Sequence, residues 1–191
     1  MKYFIDITLL PGPEVPLHFL WQKVYQHIHQ AFVEINHNGK ICIGASFPEY
    51  DEKKSRLGSK LRLLSTNKNQ LEKLNLRFTL GLVEYLHVSP VEQIPHKIQG
   101  HAVFKRIQPK NNNERLARRR AKRKRISLQQ ALDYFKGRDE IYSNAPYIHI
   151  QSKSTGESYR LIISRQHVQQ AASTQLFSTY GLSSSSTVPI F

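Results

Sequence analysis

Between Lys105 and Arg125 the chain carries eleven Lys or Arg residues and a single acid, Glu114. A block this charged cannot enter a core, so it is either a solvated run or an element whose partner is a polyanion. Patterned sequence lies on both sides of it, which argues against a disordered tail. Asn113 has the chemistry of a helix cap, and Glu114 through Lys124 are all compatible with helix. The only apolar members are Leu116, Ala117 and Ala121, too small a stripe to fold the segment alone, so a polyanion is expected to help order it. Arg115, Arg119 and Arg123 are spaced by four on one face, with Arg118, Lys122 and Arg125 on an adjoining one.

The whole chain agrees with its middle. Twenty-eight Lys and Arg against fourteen Asp and Glu leave a formal charge of +14 over 191 residues, which points to nucleic acid. A basic membrane binder should carry a strong apolar face or a lipidation signal, and the sequence has neither. The start Met1-Lys2-Tyr3-Phe4-Ile5-Asp6 is charged too early for a signal peptide. No apolar run approaches the roughly 20 residues of a spanning helix, so a soluble, cytoplasmic protein is expected. Cys42 is the single cysteine, which excludes an internal disulfide and a cysteine-based zinc site.

Periodicity predicts an α+β fold. Alternation from Lys2 to Leu9 reads as a strand. Leu17, Leu20, Val24, Ile28, Ala31 and Ile35 recur at helical spacing after Pro16. Strands are expected at Gly39 to Phe47 and Lys60 to Leu64, then an interrupted helix through Leu71, Leu74, Phe78 and Tyr85, then a strand between about Val88 and Ile94. The order β-α-β-β-α-β is that of a ferredoxin-like domain, placed at 1–94. Residues 95–104 read as a linker, and 105–191 as a smaller C-terminal α+β domain. Its elements are the arginine-rich helix, a short helix opened by the capping-box spacing Ser127-Leu128-Gln129-Gln130 and ended by Gly137, a hairpin of Tyr147 to Gln151 with Tyr159 to Ile163, and a last strand through Phe177 to Tyr180.

A-form RNA hides its bases in a deep, narrow groove that admits a helix only where a loop or stem end opens it, so an RNA target is expected to be a hairpin. RNA also carries its own nucleophile, the ribose 2′-hydroxyl. A protein that cuts it need only orient that group, move protons and stabilise the phosphorane. His27 and His29 lie in the first helix, about 100° to either side of the Ile28 stripe, which argues against a two-histidine metal clamp. Taken alone, a histidine placed like His29 is more often a boundary residue than a catalyst. Ser152 and Ser154 point to one face at the end of a hairpin strand, where serines commonly bond the turn. Glu49, Asp51 and Glu52 lack the spacing of a calcium loop or a nuclease carboxylate set, and there is no phosphate-binding glycine motif. No metal or cofactor is expected.

Several segments together resemble one family. They are Pro11-Gly12-Pro13-Glu14, His29-Gln30-Ala31, Ser46-Phe47-Pro48 and Ser55-Arg56-Leu57-Gly58 in the first half. In the second half they are Arg106-Ile107-Gln108, Asn113-Glu114-Arg115-Leu116 with its arginine run, Ser152-Lys153-Ser154-Thr155-Gly156, Tyr180-Gly181-Leu182-Ser183 and Phe191. In that order they are similar to the type I-F CRISPR-associated endoribonucleases that process precursor guide RNA, the Csy type of the Cas-six superfamily. The resemblance implies a metal-independent cut at the repeat hairpin, leaving a 2′,3′-cyclic phosphate and a 5′-hydroxyl. It implies that His29 transfers the proton, that Ser152 holds or activates the 2′-hydroxyl, and that Ser154 and Tyr180 place the scissile phosphate. Arg106 and Gln108 match the pair that reads bases at the foot of the stem, and Arg118, Arg119, Lys122 and Arg123 match the phosphate-binding helix, with Arg115 on the same face as Arg119 and Arg123. Tyr159 stands where the family commonly has a phenylalanine that stacks on the terminal base pair, and Lys122 replaces an arginine, losing a bidentate fork. The implied partners are the precursor and mature CRISPR RNA hairpin and the other subunits of the type I-F complex. The competing readings are a hairpin-binding subunit that does not cut and a DNA-binding regulator.

Overall fold

The computed structural model describes residues 1–36, 38–76, 83–108, 113–136, 144–152 and 156–191. They fall into two compact units, Met1–Ile107 with Ala145–Phe191, and Gln108–Asn144.

In the first unit β1 (Tyr3–Leu9) leads into α1 (Leu17–Glu34), which starts after Pro16 in extended conformation. β2 (Ile43–Ser46) and β3 (Lys60–Ser65) follow, then a short α2 (Lys68–Glu72) capped by the Asn67 side chain. The sheet order is β2-β3-β1-β4, all antiparallel, the order a β-α-β-β-α-β arrangement requires. The strand expected at Val88 to Ile94 is split into β4 (Leu86–Val88) and β5 (Glu92–Gln93), which pair with opposite ends of β1. Pro90 has no N–H to give a ladder, and Ser89 takes over the link: its N–H donates to the Asp6 carbonyl at 2.9 Å and its hydroxyl accepts from the Asp6 N–H at 3.0 Å. Phe78 and Gly137 lie outside the described residues.

A second antiparallel sheet, in the order β7-β8-β6-β9, is built from β6 (Gly100–Ile107), β7 (Tyr147–Gln151), β8 (Ser158–Val168) and β9 (Val188–Ile190). Gly100 to Phe104, read as linker from the sequence, are therefore strand, because Gly100–Ala102 pair with β9. The last strand expected at Phe177 to Tyr180 is instead a turn. Only Phe177 bridges, to Ile41, and the true final strand is Val188–Ile190.

One core runs under both sheets, joining Ile5, Ile7 and Leu63 of the first to Ile148, Ile150 and Leu161 of the second. Each such side chain contributes roughly 1.5–3 kcal/mol when fully buried. α1 supplies Leu20, Val24 and Ile28 as its spacing predicts, and also Trp21, Tyr25 and Phe32. This wider aromatic stripe lets one helix serve two sheets. Arg62 makes a bidentate pair with Asp6 at 2.7 and 2.8 Å and donates to the Phe191 carbonyl at 2.9 Å, tying that residue to the first sheet.

The second unit holds α3 (Asn113–Lys124) and α4 (Leu128–Phe135). Arg125, at φ +53°, ends α3 in the left-handed region, and the Ser127–Gln130 capping box opens α4.

Candidate active site

Along α1, Gln26, His29, Gln30 and Val33 recur at spacings of three and four and so share a face. That face lines a cavity of about 420 Å³ whose other walls are Gln151 and Ser152 at the end of β7, Tyr159 on β8, and Tyr180. Helix and strand are tied at this point: the Gln26 Oε1 accepts from the Gln151 N–H at 3.1 Å. The backbone of Ser152 is held on both sides, its N–H donating to the Glu157 carbonyl and its carbonyl accepting from the Gly156 N–H, both at 2.8 Å.

The His29 Nδ1 lies 2.8 Å from the Thr179 carbonyl. A carbonyl oxygen can only accept, so Nδ1 carries the proton, and in the neutral ring Nε2 is the basic nitrogen. The imidazole also stacks on the Tyr180 ring, 4.0 Å between centroids and 7° from parallel. One bond and one stack leave the ring little freedom to rotate.

Tyr180 is itself held from several sides. Its carbonyl accepts from the buried Tyr25 hydroxyl at 2.7 Å, and its hydroxyl is hydrogen-bonded to that of Tyr159. The Arg106 guanidinium lies 5.2 Å from the Tyr159 ring and 5.7 Å from the Tyr180 ring. Burial pushes the Tyr180 phenol well above the usual tyrosine range, the Tyr159 hydrogen bond adds to this, and Arg106 opposes it weakly. Burial raises Tyr25 in the same direction. Both hydroxyls stay protonated at neutral pH, and that of Tyr25 donates to the Tyr180 carbonyl.

The turn that presents Thr179 and Tyr180 depends on Gly181. Its φ is +68°, and a Cβ there would come within 2.9 Å of the Ala45 Cβ and 3.2 Å of the Phe32 ring. The Gly181 carbonyl accepts from the Ala45 N–H at 2.8 Å, pinning the turn to the strand β2.

Of the residues singled out from the sequence, His29, Ser152, Tyr159 and Tyr180 line this one cavity, and Arg106 borders it through the two tyrosines. Ser154 lies outside the described residues. Tyr159, expected to offer a stacking face, also contributes a hydroxyl that a phenylalanine lacks. Tyr25, Gln26 and Thr179 were not anticipated. Tyr25 and Gln26 precede His29 by four and three positions, a weak helical signal, whereas nothing local marks Thr179.

Gln108, Arg115, Arg118, Arg119, Lys122 and Arg123 belong to the second unit, where all six are exposed. The small apolar stripe of α3 does find a partner: Ala117 and Ala131 are both fully buried where α3 packs on α4. Arg120 sets its guanidinium 3.5 Å from the centre of the Tyr134 ring, so this arginine serves the helix pair. Arg118 pairs with Glu114 one turn earlier. Among the described residues, no three His, Cys, Asp or Glu side chains converge as a metal site requires, and no helix is long and apolar enough to cross a membrane.

Comparison with known proteins adds the remaining piece. The model of a family described as CRISPR-associated protein (Cas_Csy4) matches residues 4–191. Aligned over 191 residues and the full length of both chains, the sequence is 34% identical to the CRISPR-associated endonuclease Cas6/Csy4 of Pseudomonas aeruginosa (strain UCBPP-PA14). Over the same span it is 28% identical to the CRISPR-associated endonuclease Cas6/Csy4 of Escherichia coli (strain UTI89 / UPEC). With the match running from the first strand to the last residue, the chain belongs to the Csy4 family of CRISPR-associated proteins.

Proposed function

We propose that this chain is an endoribonuclease that cuts the CRISPR repeat hairpin of precursor guide RNA in the cytoplasm, without a metal ion. The observation that carries the reading is the fixed tautomer of His29, whose Nδ1 is committed to the Thr179 carbonyl so that Nε2 is the base in a cavity shared with Ser152 and Tyr180. Nε2 takes the proton of the 2′-hydroxyl while the Ser152 hydroxyl holds that ribose oxygen. The oxygen attacks the adjacent phosphorus, the bond from phosphorus to the 5′ oxygen breaks, and that oxygen takes the proton from the His29 imidazolium and departs as a 5′-hydroxyl, leaving a 2′,3′-cyclic phosphate and a neutral His29. Ser154 and the neutral Tyr180 phenol help to place the phosphate during attack.

Both units contribute to affinity. Arg115, Arg118, Arg119, Lys122 and Arg123 of α3 grip the phosphates of the stem, Arg106 and Gln108 read bases at its foot, and Tyr159 stacks on the terminal pair. The cut product stays bound as the 3′ hairpin of the mature guide RNA, within a complex of type I-F subunits.

The test is incubation of the purified protein with a cognate repeat hairpin in excess chelator. One cut at the 3′ foot of the stem is expected. A 2′-deoxy sugar at the cleavage site and His29→Ala should each abolish cutting and leave binding nearly unchanged. Tight binding with no cut under any condition would establish a hairpin-binding subunit instead, and indifference to the ribose hydroxyl a DNA-type binder.

A further inference from the structure

The candidate active site is assembled from two separately built parts of the chain. One is α1 with the turn at residues 178–182, which hold His29 between the Thr179 carbonyl and the Tyr180 ring. The other is the hairpin of β7 and β8, which presents Ser152 just past the paired residues Gln151 and Ser158. Gln26, accepting from the Gln151 N–H at 3.1 Å, ties the helix to the hairpin at the backbone. The Tyr159 hydroxyl, hydrogen-bonded to that of Tyr180, ties the hairpin to the turn at the level of the rings.

The second tie bears on His29 in a way the first cannot. The contact with Thr179 fixes one imidazole atom, Nδ1, and leaves the ring able to tilt about it. Its plane is set by the Tyr180 ring, on which it lies 7° from parallel. A phenol is anchored to the backbone at one end and turns about two side-chain bonds unless its far end is also caught. Tyr159 catches it. Tyr159 is placed by the strand ladder opposite Ile150, and both tyrosine rings pack against the core with the Arg106 guanidinium beside them. Burial, helped by this hydrogen bond, keeps the Tyr180 phenol protonated above the usual tyrosine range, so the tie persists where an imidazole titrates. Catalytic groups must be held within roughly 0.5 Å and 10–20° of productive geometry, and a ring fixed at one atom only does not meet that standard.

We propose that Tyr159 is a positioning residue for RNA cleavage: its hydroxyl holds the Tyr180 ring, and through the stack on that ring it fixes the direction of the His29 Nε2 relative to Ser152. The inference rests on the proposed cleavage by His29. It gives Tyr159 a role that its stacking face does not supply and that a phenylalanine in the same place would lack.

The experiment compares the full-length wild type with Tyr159→Phe, Tyr180→Phe and the double variant on a cognate repeat hairpin, in single turnover with protein in excess. Tyr159→Phe keeps the ring and removes one hydroxyl. Hairpin affinity should therefore be unchanged while the cleavage rate constant falls about fivefold, the range of one neutral hydrogen bond. The double variant should be no slower than Tyr180→Phe alone, because either substitution breaks the same bond. The NMR signals of the His29 ring supply a readout that a loss of stability alone would not move. Its carbon-bound protons are shifted upfield by the stacked Tyr180 ring, and Tyr159→Phe should return them toward the position of a free imidazole. Should that variant melt at a lower temperature, spectra of the folded protein in the cold still decide. The inference is overturned by a wild-type rate in Tyr159→Phe, by losses that multiply in the double variant, or by unmoved His29 signals. Weakened binding with an unchanged rate at saturation would also overturn it, and assign the hydroxyl to RNA contact instead. The proposed function fails differently, with no cut of the hairpin by the wild type.

Discussion

The imidazole of His29 and the ring of Tyr180 lie face to face, 4.0 Å apart and 7° from parallel, although 151 positions separate them in the chain. The same turn that brings the ring also brings the Thr179 carbonyl to Nδ1. A single local structure, residues 178–182, therefore sets both the orientation and the tautomer of the one imidazole in the cavity.

Tyr180→Ala should remove the stack and slow cleavage of the repeat hairpin by about 10²-fold, the usual cost of a misplaced catalytic group. Tyr180→Phe keeps the ring and loses only the hydroxyl, so its loss should be smaller, about fivefold for one hydrogen bond of roughly 1 kcal/mol. Single-turnover rates on both variants check the order. Equal losses would mean that the ring does not position His29.

Gly181→Ala should destabilise the protein by about 1–3 kcal/mol, the range of a small overpacking change, with the positive φ adding strain. Because the turn carries Thr179 and Tyr180, the folded fraction should also cut more slowly than the wild type. Denaturant melts, followed by cleavage at a temperature where the variant is folded, separate the two effects.

Tyr25 and Tyr180 bear on alkaline stability. Their folded phenols titrate above the unfolded value of about 10, so above that pH the unfolded chain releases protons the folded one keeps. The stability they contribute is fully present below about pH 10 and is lost as pH rises toward their folded values. Stability measured by denaturant from pH 8 upward should fall less steeply in Tyr25→Phe than in the wild type.

On α3, Arg119→Ala combined with Arg123→Ala should flatten the dependence of log affinity on log salt by about 1–2, since each phosphate contact contributes about 0.9. Arg120→Ala should leave the slope nearly unchanged and instead loosen the α3–α4 pair, because its guanidinium is spent on Tyr134. Circular dichroism of the free protein should show that loss of helix.

Patterns set by near neighbours account for several elements of the fold. The spacing of Leu20, Val24 and Ile28 predicts α1, the Ser127–Gln130 spacing predicts a capping box, and alternation predicts the hairpin of β7 and β8, because each pattern depends on neighbours within a few residues. The basic run also announces a polyanion, since no fold can bury it. Tertiary structure alone decided the rest. The β9 strand follows a run of four serines and is a strand only because Gly100–Ala102 offer it an edge. Tyr25 spends its hydroxyl on a carbonyl 155 residues away, and Thr179 meets His29 across 150. Such pairings carry no periodic signal, because they form where closing the common core brings distant backbone together and its polar groups must find partners.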